Sequence, residues 1–254
     1  MDFRYFFVSP DSGGYVPEEL TWRLFDIGHL LTLLCVGFVV IYMCKKFSLW
    51  DIKKQDSFIK KIAVFMLMQE IFKNIVHYLT GVLIYEDIPL HLCRFSIFMT
   101  LWYAFKSNKL NKEYLYAFSL PASVAALMFA DWTKFARISF TNIDSTIFHM
   151  LLLMVPMLLI YSGRLKPNYK YLNSCIMFMF PVGLIVFRIN KIIGTNFMFL
   201  NTPSPGSPLV LLENLFGSPG YIFAGICLIF IIWISMYLPW EIKYKKESEI
   251  EQLA

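Results

Sequence analysis

Asp87-Ile88-Pro89-Leu90-His91-Leu92-Cys93-Arg94-Phe95-Ser96 decides how this chain is read. The stretch puts an imidazole, a thiol and a guanidinium at the mouth of an apolar run. Polar and reactive groups at membrane depth are costly, so they mark a place where the chain has work to do. The rest of the chain reads as the box around them.

Composition supports the membrane reading. The 254 residues are 57% hydrophobic and 16% charged, with a mean hydropathy of +0.57. Soluble domains carry about 25% charged residues. The net charge of +5 does not point to nucleic acid, because the cations sit in short segments between apolar runs. The first two dozen residues lack a basic stretch followed by a short apolar core, so no signal peptide is expected. The five cysteines, Cys35, Cys44, Cys93, Cys175 and Cys227, form no CxxC pair, which argues against a disulfide framework and a zinc site. The abundance of Phe, Lys, Ile, Tyr and Asn suggests a bacterial source.

A spanning helix needs about 20 apolar residues. Seven such segments are expected, over residues 25–44, 58–85, 88–105, 113–131, 143–162, 170–190 and 220–240. The expected fold is therefore all-α: one polytopic transmembrane bundle of seven helices over residues 1–254. Residues 1–24 would form an extracytoplasmic N-terminal segment, 194–220 a non-helical extracytoplasmic loop, and 241–254 a cytoplasmic tail. Lysines and arginines collect in alternate connections: Lys45 to Lys61, Lys106 to Lys112, Arg164 to Lys170, and Lys243 to Lys246. The positive-inside rule then places the N-terminus outside and the C-terminus in the cytoplasm, in a cell membrane.

At 1.5 Å per residue, His29, Cys93 and His149 each fall roughly 8 Å below the outer boundary, and His77 roughly 12 Å. His91 lies nearer the surface. Glu70, Lys73, Asn74 and His77 repeat at spacings of three and four, so they share one helical face. Cys93, Ser96 and Thr100 form a similar stripe. Arg188, Asn190 and Lys191 end the sixth span. These faces can close into a polar cavity open to the outer leaflet, or into a structural network in which Glu70 pairs with Lys73 or Arg188. The four cysteines other than Cys93 lack His or Arg neighbours and read as core filler.

His91 and Cys93 are two apart and point to different sides of a helix, so a base for Cys93 must come from another span. His149 is at matching depth. A Cys–His pair can carry acyl transfer: the imidazole takes the proton and the sulfur holds the acyl group. No two histidines sit at metal-ligand spacing on one helix, and no nucleotide or phosphate-loop motif is present, so no metal or cofactor is expected.

Pro89-Leu90-His91-Leu92-Cys93 resembles a hallmark of the YwaF-like bacterial membrane proteins, which are related to the eukaryotic transmembrane protein 164 group. Arg188 to Leu200, followed by Pro203, is similar to that family's Asn-rich segment, and Gly28 to Leu33 to its first span. The resemblance covers most of the chain in order. It implies a cysteine and a later histidine acting in acyl transfer on phospholipids, which here are Cys93 and His149. More distant relatives are lipid hydrolases with a Thr nucleophile. The chain departs from the pattern at Phe216 to Tyr221, which lacks two Trp, and at Arg94, where a smaller or acidic residue is common.

Two classes of function fit. One is an intramembrane acyltransferase or lipid hydrolase, with catalytic Cys93 and His149. His91, Arg94, His29, His77, Glu70, Arg188, Asn190 and Asn196 would then bind or orient the lipid. The other is a transporter or a lipid- or small-molecule-binding protein with no chemistry. A role in holding a membrane partner rests only on the basic loops. Membrane lipids are the expected partners and nucleic acid is not.

Overall fold

The computed structural model describes residues 3–81 and 84–253. Its helices are α1 (Ile27–Ser48), α2 (Ile52–Leu79), α3 (Leu92–Phe105), α4 (Lys109–Tyr114), α5 (Leu120–Met128), α6 (Phe140–Tyr161), α7 (Tyr169–Ile193), α8 (Pro208–Phe216) and α9 (Gly220–Leu253). A π-turn over Leu115–Ser119 joins α4 to α5, and no strand is formed among the described residues.

Local sequence sets the helix starts. Asp26, Asp51, Ser139 and Asn168 each accept a backbone N–H of the first turn through the side chain, and Asn108 and Asn111 form a reciprocal capping box. Such caps satisfy amides that have no partner inside the helix. α7 stops at Gly194, whose φ of 72° is a left-handed conformation that glycine adopts without a side-chain clash.

Among the described residues, six segments are long and apolar enough to cross a membrane: α1, α2, the Lys109–Lys134 unit, α6, α7 and α9. The expected third span is the exception. It is a 14-residue helix, about 21 Å long against a hydrocarbon core of about 30 Å. It begins only at Leu92, because Pro89 and the extended backbone of His91 hold the preceding residues out of the helix. Three other expectations are adjusted. α2 starts at Ile52 and ends at Leu79; residues 82 and 83 of the expected second span lie outside the described residues. The 194–220 connection is not wholly irregular, since it contains α8. The expected cytoplasmic tail 241–254 continues α9 as helix to Leu253.

The outer faces are apolar. Phe38 is 72% exposed on α1, as are Phe72 on α2, Phe180 on α7 and Phe230 on α9 to lesser degrees. Exposed apolar surface on this scale belongs in lipid rather than water. The interior is a cluster built on Phe47, Met66, Ile97, Phe148, Leu152 and Leu158. α6 runs through its centre, packing on α1, α2, α3 and α5.

The connections gather at two ends. At one, Arg164 pairs with Asp56 at 2.5 Å, Lys112 donates to the Arg164 carbonyl, and Tyr244 donates to the Pro167 carbonyl. This end holds the lysine-rich connections. At the other, the N-terminal segment hydrogen-bonds to the α5–α6 connection: Trp22 N–H donates to Thr133, Arg137 N–H to Leu20, and Phe140 N–H to Phe6.

Candidate functional site

Five charged or titratable side chains meet between α2, α3 and the segment that joins them. Lys73 Nζ lies 3.0 Å from Glu70 Oε1 and 3.0 Å from Asp87 Oδ1. His77 Nδ1 donates to Asp87 at 2.8 Å. Arg94 donates to the other Glu70 oxygen and covers the Phe148 ring of α6. Glu70, Lys73 and Asp87 are each less than a tenth exposed. Two carboxylates face two permanent cations, so the cluster is neutral without a charge on His77. A buried charge survives only when it is paired in this way. Arg94, rather than Arg188, is the second partner of Glu70; Arg188 is exposed on α7. Asp87 joins the cluster although its position in a connection gave no sign of burial. Burial alone would raise its carboxyl, but the His77 hydrogen bond and the Lys73 charge outweigh that and hold it below its ordinary value of 3.8.

His149, the tenth residue of α6, lies beyond Phe148. Its ring stacks on Trp132 with centroids 4.7 Å apart and planes 12° apart. Its Nδ1 is 2.8 Å from the Ser145 carbonyl oxygen, which can only accept, so Nδ1 carries the proton. Nε2 then carries the lone pair. Cys93 sits in the first turn of α3, next to Arg94, packed against the same core, with Sγ 3.8 Å from the Ala122 carbonyl. Arg94 thus links the α3 turn that carries Cys93 to the α6 turn that carries His149.

Four buried polar atoms on α2 and α6 have no partner among the described residues: Gln69 Oε1, Asn74 Oδ1, Asn142 Nδ2 and Asp144 Oδ2. Leaving such an atom unpaired costs about 1–3 kcal/mol. Gln69 still binds Asp144 through its amide nitrogen at 2.9 Å, so these helices face one another across a polar layer.

The remaining expected residues have other surroundings. His29 accepts from the Phe25 N–H at Nδ1 and so donates through Nε2 to the Leu127 carbonyl at 2.9 Å; both nitrogens are committed to helix packing. His91 occupies the N-cap position of α3 without a side-chain cap bond; its ring packs on Phe197 and Phe199, and Nδ1 accepts from the Met198 N–H at 3.3 Å. Asn190 binds the Phe197 N–H and carbonyl at 2.9 Å each and the Thr195 hydroxyl. Asn196 holds Asn201 and Thr202. These bonds hold Met198 and Phe199 at φ of 56° and 54°, which is strained for residues with side chains. The Ser96 and Thr100 hydroxyls donate to carbonyls one turn back, so little of the α3 stripe is left for a ligand. Cys44 and Cys175 are core residues as expected, whereas Cys35 and Cys227 are exposed. No cluster of three or more metal-ligating side chains occurs among the described residues.

Nothing in the sequence marks Trp132 or Gln69 as part of this site. A tryptophan near the end of an apolar run looks like an interfacial anchor, and a lone glutamine has no periodic signature.

Apolar helices around a buried ionic cluster define a multi-pass helical membrane protein. The chain belongs to the TMEM164 family, whose family model matches residues 22–237. No curated protein and no solved structure matches it.

Proposed function

We propose that this protein transfers acyl chains of phospholipids, with Cys93 as nucleophile and His149 as base, and that it sits in a bacterial cell membrane within the YwaF-like branch. The basic end would be cytoplasmic and the N-terminus outside, with α3 completing the bundle as a short seventh membrane helix. The observation that carries the reading is the orientation of His149. With Nδ1–H fixed on the Ser145 carbonyl, Nε2 is in the tautomer that accepts a proton.

In the proposed reaction Nε2 takes the Cys93 Sγ proton, and the thiolate attacks the ester carbonyl of a phospholipid. The ester C–O bond breaks, a thioester forms, and the lysophospholipid oxygen leaves with the proton held by His149. An acceptor hydroxyl, or water in a hydrolase, then attacks the thioester, losing its proton to Nε2, and sulfur is released and reprotonated. Arg94 is the cation nearest in sequence to the thiol and would meet the developing oxyanion. Glu70 and Phe148 hold its guanidinium in place.

A second reading, a lipid- or solute-binding protein without chemistry, is favoured by the four unpaired polar atoms between α2 and α6. A lipid-like thiol-reactive probe separates the two. Under the catalytic reading it labels the wild type, fails on Cys93→Ala and slows markedly on His149→Ala. Equal labelling of Cys93→Ala and the wild type contradicts it.

A further inference from the structure

The far end of α3 bears a polar hollow. Tyr103 is ten residues beyond Cys93, roughly 15 Å along the helix. A cavity of about 260 Å³ opens there among Asp56 and Lys60 of α2, Tyr103 of α3, and Ser107 and Arg164 of the adjoining connections. Tyr103 is only 3% exposed; its hydroxyl oxygen lies near the Arg164 guanidinium, which can only donate, and its O–H has no acceptor among the described residues. A buried hydroxyl with no acceptor is costly, and at a cavity wall it is a donor waiting for one. Beside this hollow, the outward face of α2 presents Val64, Phe65 and Met68, with Lys60 and Lys61 at its near end. Lys60 borders both.

We propose that the polar cavity and this apolar helix face together seat a glycerophospholipid whose phosphate enters the cavity and whose acyl chain lies along α2. The Tyr103 and Ser107 hydroxyls donate to phosphate oxygens, and Lys60 and Arg164 supply charge. Arg164 now pairs with Asp56 at 2.5 Å and also contacts Gln55 Oε1 at 3.3 Å. Two cations against the one carboxylate leave a single positive charge, which matches the single negative charge of a phosphodiester. Lys112, on the Arg164 carbonyl, adds to the positive field. The apolar face of α2 beside the charged pocket favours a lipid over free phosphate, and the lysine-rich end of the bundle is where a headgroup layer would lie. This site is distinct from the Cys93 region and does not depend on acyl transfer.

The test uses the full-length chain in detergent, titrated with short-chain phosphatidylglycerol and separately with inorganic phosphate, with bound molecules counted by native mass spectrometry. Lys60→Ala and Tyr103→Phe each should weaken phosphatidylglycerol binding roughly tenfold, the loss of one charge-assisted hydrogen bond. Asp56→Asn should strengthen it. Tyr103→Phe removes the hydroxyl but leaves the Arg164–Asp56 pair in place. Unchanged binding in both Lys60→Ala and Tyr103→Phe overturns the site. Inorganic phosphate binding as tightly as phosphatidylglycerol overturns the lipid assignment.

Discussion

The guanidinium carbon of Arg94 lies 4.3 Å from the centre of the Phe148 ring, and the same guanidinium donates to Glu70. One side chain at the start of α3 therefore ties α2 to α6. Arg94→Met keeps much of the packing but leaves Glu70 with Lys73 alone. Breaking a buried pair in this way costs about 3–5 kcal/mol. The thermal midpoint of the purified variant should fall clearly below wild type, and adding Glu70→Gln should recover part of the loss. If Arg94→Met melts with the wild type, the cluster does not hold these helices together.

Asp87 makes the cluster sensitive to acid. Its folded carboxyl is held below the ordinary 3.8 despite burial, by His77 and Lys73. A depressed carboxylate stabilises fully above its unfolded value and loses that contribution as pH falls through the folded one. The stability gap between wild type and Asp87→Asn should therefore shrink as pH drops below about 4. A gap that is flat down to strongly acid pH would show that Asp87 is not the ionised partner.

Asn190 closes the Thr195–Thr202 turn. Asn190→Ala deletes its bonds to the Phe197 amide and carbonyl and to the Thr195 hydroxyl, a loss of about 1–3 kcal/mol. Met198 and Phe199 should then relax from their left-handed conformation. Hydrogen exchange should speed up across residues 197–202, while amides of the buried face of α6 keep their protection. Unchanged exchange in that turn would mean that the strain is held elsewhere.

The membrane bundle was legible in the sequence because lipid demands long apolar runs. The Glu70 to His77 stripe was legible because its spacing of three and four survives in α2. Partner choice was not. Glu70 takes Arg94 rather than Arg188, and nothing in a linear spacing says which of two distant cations a carboxylate will meet. α3 read as a full span because apolar residues flank Pro89, yet that proline and the extended backbone of His91 shorten the helix. His29 looked like a site residue by depth, but its two nitrogens are spent on the Phe25 amide and the Leu127 carbonyl, which only the folded backbone brings near. The tautomer of His149 is likewise set by a carbonyl one turn back, and its stacking on Trp132 by the path of the α5–α6 connection.

The most direct measurement is the intact mass of the purified protein after incubation with a phospholipid carrying an isotope-labelled acyl chain, with no acceptor alcohol added. Wild type should gain the mass of one acyl group on Cys93, removable by hydroxylamine, with none on Cys93→Ala and slower gain on His149→Ala. An acyl adduct that persists in Cys93→Ala, or wild type that never acquires one, would contradict a thioester at this cysteine.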